Sequence, residues 1–162
     1  MRVRDVMTKE VESCQSGENL ASLAQLMWRG DCGAIPVVDA ERRPVGIITD
    51  RDAFIALATR YRVPGEILVR EVMTDAPVTC HPDDDIRLAL KAMAEHQVRR
   101  LPVVDGTGAL AGILSLSDLA AKSTARPSTL DAEIAQTLQA ISRSHHAPAV
   151  SVVMDHEVVL SA

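Results

Sequence analysis

Residues 3–52 and 69–118 are two versions of one sequence. Laid over each other at an offset of 66 with no gap, they agree at fourteen of fifty positions. Val3-Arg4-Asp5-Val6-Met7-Thr8 returns as Val69-Arg70-Glu71-Val72-Met73-Thr74. Pro36-Val37-Val38-Asp39 returns as Pro102-Val103-Val104-Asp105, and Gly46-Ile47 as Gly112-Ile113. Cys14 falls on Cys80, Met27 on Met93 and Asp52 on Asp118. One chance motif does not hold a constant offset, so the chain is a duplication. It predicts two similar units related by a pseudo-twofold axis.

Each unit reads in the same order. Val11–Cys14 and Val78–Cys80 are short strand patterns. Leu20, Leu23, Ala24, Met27 and Trp28 then recur at helical spacing, as do Ile86, Ala89, Leu90, Met93 and Ala94. Two strands follow in each unit, 34–39 with 44–49 and 101–105 with 110–115, separated by turn residues. A second helix closes each unit at 51–60 and 117–122. The expected fold is therefore mixed α/β (α+β), two β-α-β-β-α repeats. We place them at 1–62 and 63–126, with an extension at 127–162. A unit of about fifty residues cannot easily bury both sheet faces alone, so the copies should pack together.

Composition narrows the function classes. The net charge is −5 over 162 residues, whereas a general phosphate-backbone binder needs a basic field, so nucleic-acid binding is not expected. Aromatics are limited to Trp28, Phe54 and Tyr61, which leaves almost no platform for stacking bases. The N-terminus carries charges where a signal peptide would be apolar, and no apolar run has the length of a membrane span. Three widely spaced cysteines form no metal knuckle or disulfide framework, and a cytoplasmic location with reduced thiols is expected. No nucleophile elbow, Walker loop or zinc-protease motif is present, so the expectation is no catalysis and no metal. His145, His146 and His156 have no spacing that fixes a ligand geometry.

The motif set, with DVMT before the first strand, IPVVD and LPVVD at the second, and GIITDRD and GILSLSD at the third, resembles the tandem cystathionine-β-synthase (CBS) domain family, or Bateman module. The resemblance covers residues 1–122. It implies two repeats packed as a disc, with clefts between them that can take AMP, ADP, ATP or S-adenosylmethionine as a regulatory ligand. It also implies pairing into a homodimer and signalling to a partner protein that the sequence does not name. No cofactor is required.

The resemblance places the ribose aspartate at Asp52 and Asp118, the phosphate-contacting hydroxyl at Thr49 and Ser115, and the phosphate arginine at Arg99. Physically, Thr49 and Ser115 stand where a strand ends and a helix begins, and such an end favours anions. The same Thr-x-x-Asp and Ser-x-x-Asp patterns also fit a plain capping box, and the two roles can coexist. Arg99 precedes a strand, where a guanidinium fork suits phosphate oxygens or stands as a solvated rim charge. Thr79, His81 and Pro102 complete the candidate nucleotide set at the cleft floor. His81 reads either as a ligand contact or as a plain exposed histidine, and Cys14 and Cys80 as small half-buried hydrophobes.

The first repeat carries Gly33 and Ala34 where the second has Arg99 and Arg100, and Asp50 where the second has Leu116. An acid beside a phosphate weakens binding, although Arg51 can partly offset Asp50, so the clefts should be unequal, with the better anion site near Arg99, which pseudo-symmetric packing can bring to either cleft. Beyond the repeats, Leu130, Ile134, Leu138 and Ile141 share one face of a helix expected to end near His145. Residues 149–154 and 158–160 read as a strand or hairpin. Two functions of different class follow: a nucleotide-sensing regulatory module, or a ligand-free assembly module acting through its dimer surface and tail.

Overall fold

The computed structural model describes residues 1–122 and 129–143. The expected strands at 149–154 and 158–160, and the histidines at 145, 146 and 156, lie outside the described residues. The first repeat holds β1 (Cys14–Gln15), α1 (Leu20–Arg29), β2 (Ala34–Val38), β3 (Pro44–Thr49) and α2 (Asp50–Arg60). After β4 (Thr74–Asp75), the second holds α3 (Ile86–His96), β5 (Arg100–Val104), β6 (Leu110–Ser115) and α4 (Leu116–Lys122). The extension adds α5 (Thr129–Ser142). No described helix is long and apolar enough to cross a membrane.

The duplication extends to individual hydrogen-bonded pairs. Ala34 pairs with Thr49 and Ile35 with Ile48, as Arg100 pairs with Ser115 and Leu101 with Leu114. Both hairpins carry an irregularity at the same place, between Val37 and Val38 and between Val103 and Val104. Cys14 runs parallel to Val37, and Cys80 makes the matching bridge to Val103. That single bridge is all that forms of the strand expected at 78–80.

The segment before each repeat packs on the other repeat. Thr74 and Asp75 of β4 pair with Ile47 and Gly46 of β3, while Thr8 pairs with Ile113 of β6. Val3 and Val6 are buried in the core of the second repeat, with Met93, Leu101 and Leu119. Ile67 and Val69 are buried in the core of the first, with Leu23, Ile35 and Ile48. The two repeats are thus held together by exchanged arms. The glycines of the Gly-Ile motif make room for them. A Cβ at Gly46 would come within 2.6 Å of the Met73 sulfur, and one at Gly112 within 2.6 Å of the Thr8 carbonyl oxygen. Real side chains do not tolerate such approaches, so the Met-Thr arms and the Gly-Ile strands are complementary parts of one contact.

Helix α5 lies on the second repeat. Leu130, Ile134 and Ile141 pack on its core, and Glu133 pairs with Arg87 of α3 at 2.9 Å. The expected apolar face is shifted at one position: Leu138 is 47% exposed, and Thr137 is buried in its place. The Thr137 hydroxyl donates to the Glu133 carbonyl at 2.9 Å, which lets a polar residue occupy an inward position.

Candidate functional site

Strand β3 ends at Thr49 and α2 starts at Asp50, and the junction is a reciprocal cap. Thr49 donates from its backbone N–H (3.0 Å) and its hydroxyl (2.6 Å) to Oδ2 of Asp52. The Asp52 N–H returns a bond to the Thr49 hydroxyl at 3.2 Å. The second repeat copies this at Ser115 and Asp118, with distances of 2.8, 2.7 and 3.1 Å. The cap reading of these motifs is therefore correct in both repeats. It consumes Oδ2 and leaves Oδ1 of each aspartate as the remaining acceptor.

What distinguishes the two junctions is their surroundings. Thr49, Asp50, Arg51 and Asp52 open onto a cleft of about 640 Å³. Its opposite wall comes from the second repeat: His96, Gln97, Val98, Arg99, Arg100 and Pro102. Thr74 and Ala76–Val78 of the connecting segment, together with Ile141 of α5, complete it. The local chain explains how the arginines arrive there. Helix α3 stops at Gln97, which takes a left-handed φ of 54°, and the Val98 N–H closes back on the Met93 carbonyl at 3.0 Å. This C-terminal reversal turns the chain out of the helix and delivers Arg99 and Arg100 to the start of β5.

Of the sequence-predicted residues, the structure brings Thr49, Asp52, Arg99 and Pro102 together. Ser115 and Asp118 lie outside this cleft, and Ser115 is only 8% exposed. Thr79 and His81 are exposed and also lie outside its lining. The His81 N–H donates to the Asp84 carboxylate at 2.7 Å in the turn before α3. The arginine of one repeat and the acid of the other line one cleft, because the repeats pack crosswise. Arg51 and Arg100 also line the cleft, beside Asp50 and Arg99, and Gln97 and Ile141 are cleft residues that the sequence does not flag. Arg100 carried a signal as the second arginine of the pair, but Ile141 carried none.

The electrostatics of this cleft depart from those of the whole chain. Among the described residues Arg51, Arg99 and Arg100 are in no ion pair, although the protein carries a net charge of −5. Asp50 and Asp52 offset part of that charge. The Gln97 side-chain oxygen is buried without a hydrogen-bond partner. Burying such an amide costs free energy until a donor or acceptor meets it, whichever way the amide is turned.

At the positions equivalent to this cleft's second-repeat wall, the first repeat has Gly30, Asp31, Cys32, Gly33 and Ala34, with no arginine among them. A smaller depression of about 480 Å³ is lined by Lys9, Glu10, Val11, Glu12, Gly30 and Arg42, among others. Arg29 donates to Glu12 at 2.8 Å, and this bond holds the Glu12 carboxyl below the usual range. Its charge is thus already matched. Cys14 on β1 and Cys80 at the matching bridge are buried, and burial pushes both thiols up to about 12. They stay protonated at neutral pH and are poor nucleophiles or metal ligands. Among the described residues no three His, Cys, Asp or Glu side chains are grouped to hold a metal.

The family model for the CBS domain matches twice, at residues 3–59 and 69–125. The chain belongs to the CBS domain family. Among its relatives, the CBS domain-containing protein YhcV of Bacillus subtilis is 38% identical over 118 residues, covering 73% of this chain and 82% of YhcV. The protein MK0525 of Methanopyrus kandleri is 31% identical over 117 residues, and the match covers 72% of this chain and 60% of MK0525. Among solved structures, the CBS domain pair of MJ0100 superposes with a TM-score of 0.68 at 26% identity. It covers 75% of this chain and 94% of that pair, and was solved with 5′-methylthioadenosine and S-adenosyl-L-methionine. The tandem CBS architecture expected from the repeats is thus the architecture of the protein.

Proposed function

We propose that this CBS pair is a regulatory module without catalysis of its own. It binds an adenosine-containing ligand in the cleft between Thr49–Asp52 and Gln97–Arg100, works as a homodimer and passes cleft occupancy to a partner protein. The carrying observation is the set of three arginines in no ion pair, Arg51, Arg99 and Arg100, around the capped N-terminus of α2. Unneutralised guanidinium groups beside the positive end of a helix dipole attract a phosphate. Asp52 supplies Oδ1 to a ribose hydroxyl, and Ile47, Val78 and Pro102 give the apolar wall that an adenine needs. The adenosyl ligands of the MJ0100 pair support the ligand class. The ligand set is AMP, ADP or ATP, with S-adenosylmethionine as the alternative whose positive sulfonium would not profit from the arginines.

Calorimetry against AMP, ADP, ATP, NAD, S-adenosylmethionine and adenosine tests this reading. Saturable binding that strengthens from adenosine to AMP supports it, and no binding by any of them overturns it. The second reading, an assembly module whose clefts stay empty, is favoured by one observation, an apolar face on the first repeat that no described residue covers.

A further inference from the structure

Between α1 and α2 of the first repeat runs an apolar groove of about 640 Å³, lined by Leu20, Ala24, Met27, Trp28, Phe54 and Leu57, among others. Trp28 is 90% exposed and Phe54 72%. The second repeat shows how the chain treats the equivalent face. The corresponding helices there are α3 and α4, and α5 packs on both. At the offset of 66, the counterparts of Trp28 and Phe54 are Ala94 and Ala120. The chain covers one helix pair with its own α5, and on the other it carries large apolar side chains that no described residue covers.

The second observation is where α5 ends. Ile141, in its last turn, lines the cleft together with Gly33 and Asp50. Gly33 and Asp50 also line the groove, at the end formed by the close of α1 and the start of α2. The chain therefore leaves α5 beside the groove, with residues 144–162 still to follow. In that stretch Val150, Val152 and Met154 alternate with Ser151, Val153 and Asp155, so an extended segment presents one continuous apolar edge. Lengths agree as well. Residues 149–154 measure ~20 Å when extended, and α1, with its 10 residues, measures ~15 Å. The connection 143–148 reaches ~20 Å at most and has only to pass Gly33 and Asp50. Charge suits this path: Asp31 and Asp50 stand at the groove's entrance, and Arg143, His145 and His146 precede the apolar run.

We propose that residues 149–154 dock along the α1–α2 groove of their own chain, with Val150, Val152 and Met154 turned onto Met27, Trp28 and Phe54. Tethering at the entrance favours this segment over a separate molecule, because a linked segment meets its site at an effective concentration on the order of millimolar. The docking goes beyond the nucleotide reading and does not depend on it.

Trp28 is the chain's one tryptophan, so its emission reports on the groove. In the full-length protein without nucleotide, that emission is expected to be blue-shifted and shielded from acrylamide at every protein concentration. Val152→Asp should red-shift it and raise the acrylamide quenching constant several-fold, with an unchanged circular dichroism spectrum. Ser151→Asp, on the opposite edge of the segment, should change neither. Cys32 lines the groove and is half-buried, whereas Cys14 and Cys80 are buried. Oxidised glutathione acting on Val150→Cys should therefore join position 150 to Cys32 within one chain, read by peptide mass mapping. A freely quenched Trp28 in the wild type overturns the proposal, as does Val152→Asp with unchanged emission. Shielding that is lost on dilution, or a disulfide between two chains, gives the groove to a second copy and also overturns it. The wild-type emission and the cross-link decide the matter even if Val152→Asp misfolds, and none of these readouts requires nucleotide to bind.

Discussion

Replacing Arg99 by alanine separates phosphate recognition from every other part of ligand binding. Arg99 lines the cleft without an ion-pair partner among the described residues, so its removal leaves no buried acid uncompensated. The loss then reports the attraction for the ligand alone. Two unit charges 4 Å apart attract by ~1 kcal/mol in water and ~4 kcal/mol at the effective dielectric of a protein surface. Arg99 is exposed and Arg51 and Arg100 remain, so the lower part of the ~1.5–3 kcal/mol range for a charged hydrogen bond applies. A loss of ~1.5–2 kcal/mol corresponds to a roughly 10- to 30-fold weaker AMP affinity. Adenosine, which has no phosphate, should lose less than about twofold, because only general screening changes. Isothermal titration of both ligands against both proteins reads the difference, and the AMP effect should shrink as salt is raised. Equal losses for AMP and adenosine would refute the assignment of Arg99 to phosphate.

Asp50→Asn removes a carboxylate from the same cleft and should strengthen AMP binding by up to about fivefold, the scale of an exposed charge pair; weaker binding in the titration contradicts the placement of phosphate at this end. Gly112→Ala should destabilise the fold by ~1–3 kcal/mol, as overpacking does, and more than Gly46→Ala. The added Cβ meets the Thr8 backbone oxygen at 2.6 Å in the first case and the yielding Met73 side chain at 2.6 Å in the second. Urea denaturation of the two variants checks the order. The raised Cys14 and Cys80 thiols give a pH dependence with a definite sign. The folded protein keeps protons that the unfolded chain releases, so these groups cost no stability below pH 9 and erode it as pH rises from 9 towards 12. A Cys14→Ala/Cys80→Ala double variant should lose less stability over that range in denaturation measurements, and an equal loss would assign the effect elsewhere.

The fold was legible because the sequence states it twice. The offset of 66 located both hairpins, and β3 and β6 start and end where the pattern put them. What stayed hidden depends on packing between elements. The helical stripe of α1 includes Trp28 by spacing, yet Trp28 is 90% exposed, and Phe54 and Leu57 of the neighbouring α2 are exposed as well. The two-residue β4 carries no strand pattern. It exists because the arm around Met73 lies against Gly46. In the site, the caps at Thr49 and Ser115 could be read locally, since a capping box spans four residues. Which cap faces Arg99 could not, since that depends on how one repeat sits on the other.

The crosswise exchange also explains how a duplicated chain reaches one cationic cleft rather than two equal clefts. The cleft takes its helix cap, with Gly33 and Ala34, from the first repeat and the run before β5 from the second. The cap motifs are nearly identical in the two copies, whereas the runs diverge from Gly33-Ala34 to Arg99-Arg100. Divergence in one repeat therefore changes the site capped by its neighbour. Thr49 and Asp52, on the first repeat, gain the arginines of the second, while Ser115 and Asp118 lie outside this cleft. Asp50 stands in both the cleft and the apolar groove beside α2. The repeat that caps the cleft is thus also the repeat whose α1–α2 groove is open among the described residues, and the two surfaces meet at Gly33 and Asp50.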